Sequence, residues 1–237
     1  MKKRINIKEV FKYKLGILLA IILLIMAKKI SSQSPNLTII NYYGGVFTDL
    51  FIMGFVIPVY MCIMLNGLEN KNSFQILLRF QNKNAWWNSQ RKLILINSIT
   101  YSMILNVPLI IFIVIRSSNI SIKYGMINGV LLISLFSLVF SSLGIISEVF
   151  FLYKGSKFIA LFLPILLVYI PTLLKKLLKI EFLPSIGEFM NYFYNLSSAD
   201  SNYLLKNFLI LINTVAVFYI ISCLGSWYIK RIDMKWR

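Results

Sequence analysis

Residues Gly125–Leu152 read GMINGVLLISLFSLVFSSLGIISEVFFL, an apolar run whose only charged side chain is Glu148, near its end. The hydrocarbon core of a bilayer is about 30 Å thick and takes about 20 apolar residues to cross as a helix. This run is long enough. Working outward, Leu15–Ile30, Val46–Leu65, Leu93–Ile115, Phe158–Leu174 and Phe208–Ile229 share its character. The expected fold is therefore an all-α integral membrane protein, with six transmembrane helices in a single transmembrane domain spanning 1–237. Composition points the same way. Hydrophobic residues make up 58% and charged residues 14%, against roughly 45–50% and about 25% in globular chains. A soluble domain of this size has too little interior to hide so much apolar surface. A soluble enzyme, a disulfide-rich secreted domain and a disordered tail are excluded.

The first segment is short, and Lys28 and Lys29 are expected to snorkel outward so that it can span. Lys2, Lys3 and Arg4 ahead of an apolar run also fit a signal peptide. Met26-Ala27-Lys28-Lys29 lacks the small-x-small cleavage pattern, however, so a retained first helix is expected. With the amino terminus inside, seventeen of the 25 basic residues fall on the cytoplasmic side. The positive-inside rule then places both termini in the cytoplasm. The charge of +17 lies between the apolar blocks, which suits anionic lipid headgroups and not nucleic acid. Histidine is absent, and the two cysteines, Cys62 and Cys223, sit inside apolar segments. No metal site or disulfide frame is legible from them.

Between the spans, residues 1–14 are amphipathic, with Ile7, Val10, Phe11 and Leu15 at helical spacing among Lys8, Lys12 and Lys14. They are expected to form an interfacial helix, either a topogenic anchor or a lever responsive to the cytoplasm. The cytoplasmic segment 66–92 opens with the breaker-rich Asn66-Gly67. A short apolar-faced helix, Ser73–Phe80, follows, and Phe74, Leu77 and Leu78 on it need lipid or a partner's groove to cover them. Trp86 and Trp87, flanked by cations, read as an interfacial aromatic belt. Glu148 reads as a carboxylate paired with Lys154 or Lys157 near the interface, or as a proton-coupling group. Asp49 holds a similar place near the other end of its span. Outside, 175–207 is largely apolar and broken by Pro184 and Gly187, which suggests re-entrant helices covered by protein.

No phosphate-cradling loop, paired carboxylates or nucleophile motif occurs, so no catalytic site and no cofactor of its own is expected in this chain. The order of parts resembles the permease subunits of type-2 ATP-binding-cassette (ABC) exporters. The matching parts are the amphipathic start at Ile5–Lys14, six spans, a coupling helix at Ser73–Phe80, a tight second contact at Tyr153–Lys157 and outer re-entrant helices at Leu177–Tyr194. The run Arg79, Lys83, Trp86-Trp87 and Arg91-Lys92 is similar to the basic-aromatic stretch of small permeases of bacteriocin and lantibiotic immunity and peptide export.

The resemblance implies two permease subunits, the same or homologous chains, and two copies of an ABC ATPase subunit carrying ATP and Mg. It implies a multi-pass protein of the bacterial cell membrane. Phe74, Leu77, Leu78, Arg79, Trp86 and Trp87 would meet the ATPase, with Lys154, Ser156 and Lys157 as the second contact. Asn97, Ser98, Thr100, Asn106, Asn213 and Thr214 are candidates to line the pathway, because polar side chains should avoid lipid. Few intramembrane charges suit a hydrophobic or amphipathic peptide cargo: a bacteriocin, toxin or signalling peptide. Two other readings stay open: an ion-coupled secondary carrier using Glu148 or Asp49, and a non-transporting membrane immunity or scaffold protein.

Overall fold

The computed structural model describes residues 7–32, 45–48, 51–71, 83–116, 122–178 and 203–231. Among these the chain is helical, with no strand. The elements are α1 (Ile7–Ser31), a π-helical turn (Ile52–Val56) leading into α2 (Ile57–Lys71), α3 (Lys83–Arg116), α4 (Ile122–Lys154), α5 (Lys157–Leu178) and α6 (Tyr203–Arg231). Three of them contain stretches long and apolar enough to cross a membrane: Lys83–Phe112, Gly129–Lys154 and Phe208–Arg231. They mark the chain as a membrane protein. Ile52–Leu65 and Lys157–Ile170 are shorter apolar helices.

Three sequence expectations change. α1 runs unbroken from Ile7 to Ser31, so no interruption separates an interfacial helix from the segment that begins at Leu15. α2 continues through Gly67 to Lys71, because a single glycine costs a helix only about 1 kcal/mol. Trp86, Trp87, Arg91 and Lys92 lie within α3, which therefore begins inside the segment 66–92 expected to precede the span. At 1.5 Å per residue, the 34 residues of α3 extend to about 51 Å, so its ends project beyond a hydrocarbon layer of about 30 Å. Asp49, the coupling helix Ser73–Phe80 and most of the expected re-entrant segment 175–207 fall outside the described residues.

α4 is the central element and packs against α2, α3, α5 and α6. Lipid tails are as apolar as leucine, so helices in a bilayer associate through close packing and not through the hydrophobic effect. The α3–α4 seam shows how. Gly129 lies against Ile110, and Gly144 against Ile94 and Tyr60. The two helices run antiparallel, and glycine lets the neighbouring side chains sit where a Cβ would stand. Aromatic rings fill the space beside the seam. Tyr60 stacks on Phe140 at 4.7 Å, Tyr101 meets Phe140 edge-on at 5.1 Å, and Phe47 lies 5.2 Å from Phe136.

The π turn has a local cause. Pro58 has no N–H with which to bond the carbonyl of Gly54. Around this gap the Ile57 N–H reaches back five residues to the Ile52 carbonyl. The Tyr101 hydroxyl donates to the Val56 carbonyl at 2.8 Å and pins the irregular turn to α3. At the end of α1, Lys29 is half-buried and does not simply snorkel outward. Its Nζ donates to the Val46 carbonyl at 3.2 Å and lies 4.8 Å above the Phe51 ring.

The seam generates a paired prediction. A Cβ at Gly144 would stand 2.7 Å from Ile94 Cγ2 and 2.9 Å from the Tyr60 hydroxyl, both held by their surroundings. At Gly129 the obstacle is the movable tip of Ile110. Gly144→Ala should therefore cost about 1–3 kcal/mol from overpacking. Gly129→Ala should stay within about 1 kcal/mol of the parent, since alanine is the better helix former. Thermal unfolding of the detergent-solubilised protein distinguishes the two.

Candidate functional site

One end of the bundle holds the buried Trp86, Trp87, Gln90, Ser147 and Glu148. The start of α3 meets the end of α6 there, the end of α4 meets the start of α5, and Tyr153 and Tyr228 make an edge contact at 6.3 Å. Ser226 is the hub. Its hydroxyl donates to the Ser222 carbonyl at 2.8 Å. That leaves its lone pairs to accept from Trp87 Nε1 at 2.9 Å and from an Arg91 guanidinium nitrogen at 3.4 Å. Gly225 makes room for the indole: a Cβ there would stand 2.9 Å from Trp87 Cζ2 and 3.1 Å from Ile145 Cγ2.

Trp86 and Trp87 are both buried, at 2% and 3% exposure. This replaces the expected aromatic belt. The indoles of a belt face lipid headgroups, whereas these two lie inside the protein. Trp86 Nε1 has no hydrogen-bond partner among the described residues.

Glu148 and Gln90 are also fully buried. The Gly129–Ile110 and Gly144–Ile94 contacts set the α3–α4 register, and one further turn along each helix brings Glu148 to the level of Gln90. A buried carboxylate is costly unless polar groups surround it.

Beside it, α4 turns into α5 through only Gly155 and Ser156. Gly155 has φ 64°, a left-handed conformation that glycine adopts without steric cost. Its N–H closes the end of α4 by donating to the Phe151 carbonyl at 2.8 Å. The Ser156 carbonyl accepts the Ala160 N–H at 3.1 Å and starts α5. Ser147 Oγ donates across to the Ala160 carbonyl at 2.9 Å and clamps the two helices behind the turn. Lys154 and Lys157 are exposed on either side of it, while Ser156 is half-buried.

The candidate pathway residues divide. Ser98 is buried, donates to the Ile94 carbonyl at 2.7 Å and therefore accepts from the Tyr60 hydroxyl at 2.7 Å. Asn106 is buried beside Ser102 and donates to its carbonyl at 2.9 Å, while its Oδ1 has no partner among the described residues. Thr214 is buried and donates to the Ile210 carbonyl at 2.8 Å. Asn97 is half-buried and reaches Met64 Sδ at 3.7 Å. Thr100 and Asn213 are exposed. Of the expected ATPase contacts, Phe74, Leu77, Leu78 and Arg79 lie outside the described residues, and Lys154, Ser156 and Lys157 sit together at the α4–α5 turn. No group of three or more His, Cys, Asp or Glu side chains able to hold a metal occurs among the described residues.

Sequence reasoning missed Tyr60, Tyr101, Gln90 and Ser226. Tyrosines deep in apolar runs were a usable signal, because a buried phenol needs a partner for its hydroxyl. Nothing in the sequence marked Ser226 among the many span serines. No protein-family model, characterised protein or solved structure matches the chain.

The hub yields the second prediction. Ser226→Ala leaves the Trp87 indole N–H without an acceptor in a buried site, at a cost of about 1–3 kcal/mol. That corresponds to a fall of roughly 2–10 °C in the thermal midpoint for a chain of this size. Ser226→Thr keeps the hydroxyl and should recover much of the loss.

Proposed function

We propose that the chain is the transmembrane subunit of an ATP-driven ABC exporter in a bacterial cell membrane, with six spans and both termini cytoplasmic. It would pair with a second permease subunit and be driven by two copies of an ABC ATPase carrying ATP and Mg. The observation that carries this reading is the α4–α5 turn. Two exposed lysines, Lys154 and Lys157, flank a two-residue link clamped by Ser147, next to the interlocked ends of α3 and α6. A force applied at such a link passes directly into the central helix. The resemblance in the order of parts supports the same reading. Phe74, Leu77, Leu78 and Arg79 would form the first contact with the ATPase and the turn would form the second, with buried Trp86 and Trp87 stiffening the root of α3. Motion of the ATPases would shift the bundle between two packed arrangements. The scarcity of intramembrane charge suits a hydrophobic or amphipathic peptide as cargo, moved outward for export or for self-protection.

One observation favours a second reading. Glu148 is wholly buried in the central helix, the place expected of a coupling carboxylate in an ion-driven carrier.

Purification of the tagged chain in mild detergent from its host should recover a stoichiometric ATPase. Lys154→Glu with Lys157→Glu should reduce that recovery by about tenfold, as should Phe74→Asp with Leu78→Asp, while permease yield stays constant. A stable permease that never brings down an ATPase overturns the exporter reading. Transport that is lost in Glu148→Gln, yet persists when ATP is depleted at a constant proton gradient, establishes the carrier instead.

A further inference from the structure

α6 is anchored by one stripe, in which Thr214, Phe218, Ile221, Gly225 and Ile229 are buried or packed on the core. On the opposite side, Leu209, Asn213, Ala216, Ile220, Cys223 and Trp227 are all exposed. Their spacing alternates between four and three residues, the repeat that keeps one seam facing a partner helix along its whole length. The seam is apolar or small at every position but one. Asn213 lies five residues inside the Phe208 end of the apolar span, about 8 Å at the helical rise. Its carboxamide finds no hydrogen-bond partner among the described residues.

Lipid cannot satisfy that carboxamide, and an amide unpaired in hydrocarbon costs about 2 kcal/mol or more. Thr100, the other exposed polar residue among the pathway candidates, returns its hydroxyl to the Ile96 carbonyl of its own helix. Asn213 does not resolve its need in that way. A carboxamide is both donor and acceptor, so its simplest complement is a second carboxamide. A twofold axis brings residues of a self-associating surface against their own copies. A lone asparagine in an otherwise apolar seam also fixes register and the number of strands. Ala216 and Cys223, small and seven residues apart, let the two backbones approach.

We propose that α6 forms a parallel, twofold seam with α6 of a second copy of this chain, with Asn213 paired across the axis and Ala216 and Cys223 at the points of closest approach. The inference goes beyond the exporter reading and requires only that α6 lies in the bilayer.

The seam carries its own reporter, because Cys223 is exposed and the only other cysteine is Cys62. Copper-phenanthroline oxidation of native membranes should give a disulfide-linked dimer on a non-reducing gel. Cys62→Ser should leave that dimer intact, and Cys223→Ser should abolish it. Asn213→Leu, which suits a lipid-facing position and preserves folding, should lower the cross-linked fraction about three- to tenfold, as loss of one intramembrane polar pair predicts. Asn213→Gln should restore it. Absence of a Cys223-dependent dimer, or equal cross-linking in Asn213→Leu and the parent, overturns the proposal. A Cys223 dimer in membranes from which no ATPase co-purifies leaves the seam standing and removes the motor, so the two readings fail separately.

Discussion

The close approach of α4 to its neighbours is the constraint on which the rest of this fold depends. Without a hydrophobic drive in lipid, helices hold together only where surfaces interlock, and α4 interlocks through glycine. Gly144 admits Ile94 and the Tyr60 hydroxyl, and Gly129 admits Ile110. The register so fixed puts Tyr60, Ser98, Tyr101 and Phe140 into one aromatic and hydroxyl cluster. It also carries Glu148 to the level of Gln90 at the polar end. A bulkier residue at Gly144 would displace both regions together.

Hydroxyls on the spans solve the same shortage of partners locally. Ser134, Ser137, Ser141 and Ser142 each donate to the carbonyl four residues earlier on α4. Such bonds satisfy a polar side chain without asking anything of a neighbouring helix. Other bonds cross between helices, among them those of Tyr60, Tyr101, Trp87 and Ser147. Three of these four donors are aromatic, with rigid side chains long enough to reach an adjacent backbone or hydroxyl.

Much of the helical plan was legible in the sequence because bilayer spans are written as uninterrupted apolar runs. Phe208–Ile229 falls within a stretch of spanning length, as do all but the start of Gly125–Leu152 and all but the end of Leu93–Ile115. The tight link at Gly155-Ser156 was legible for a different reason, since charge and glycine cluster between two apolar runs. Burial was the harder property to read. Trp86 and Trp87 have the composition of a lipid-facing belt, and only the position of Gly225 on a distant helix reveals the slot that receives Trp87. The same holds for the pathway candidates. Polarity marked Ser98 and Asn213 alike, yet one faces the core and the other the outside, because facing depends on which neighbours surround each helix. Phe74, Leu77 and Leu78 belong to a stretch outside the described residues, and their role rests on pattern alone.

The interhelical hydrogen bonds described above fall into two groups. In one, Tyr60, Tyr101 and Ser226 tie α2, α3 and α6 together, and in the other Ser147 ties α4 to α5. Between these groups, along the Gly129–Gly144 length of α4, the glycines receive Ile110, Ile94 and the Tyr60 hydroxyl, with ring faces beside them. Contacts of this kind hold a register by shape, since a shift of α4 along α3 would have to lift each side chain out of the place a Cβ would fill. The α4–α5 pair is thus keyed to its neighbours like a notched rail, with the two-residue turn at its end.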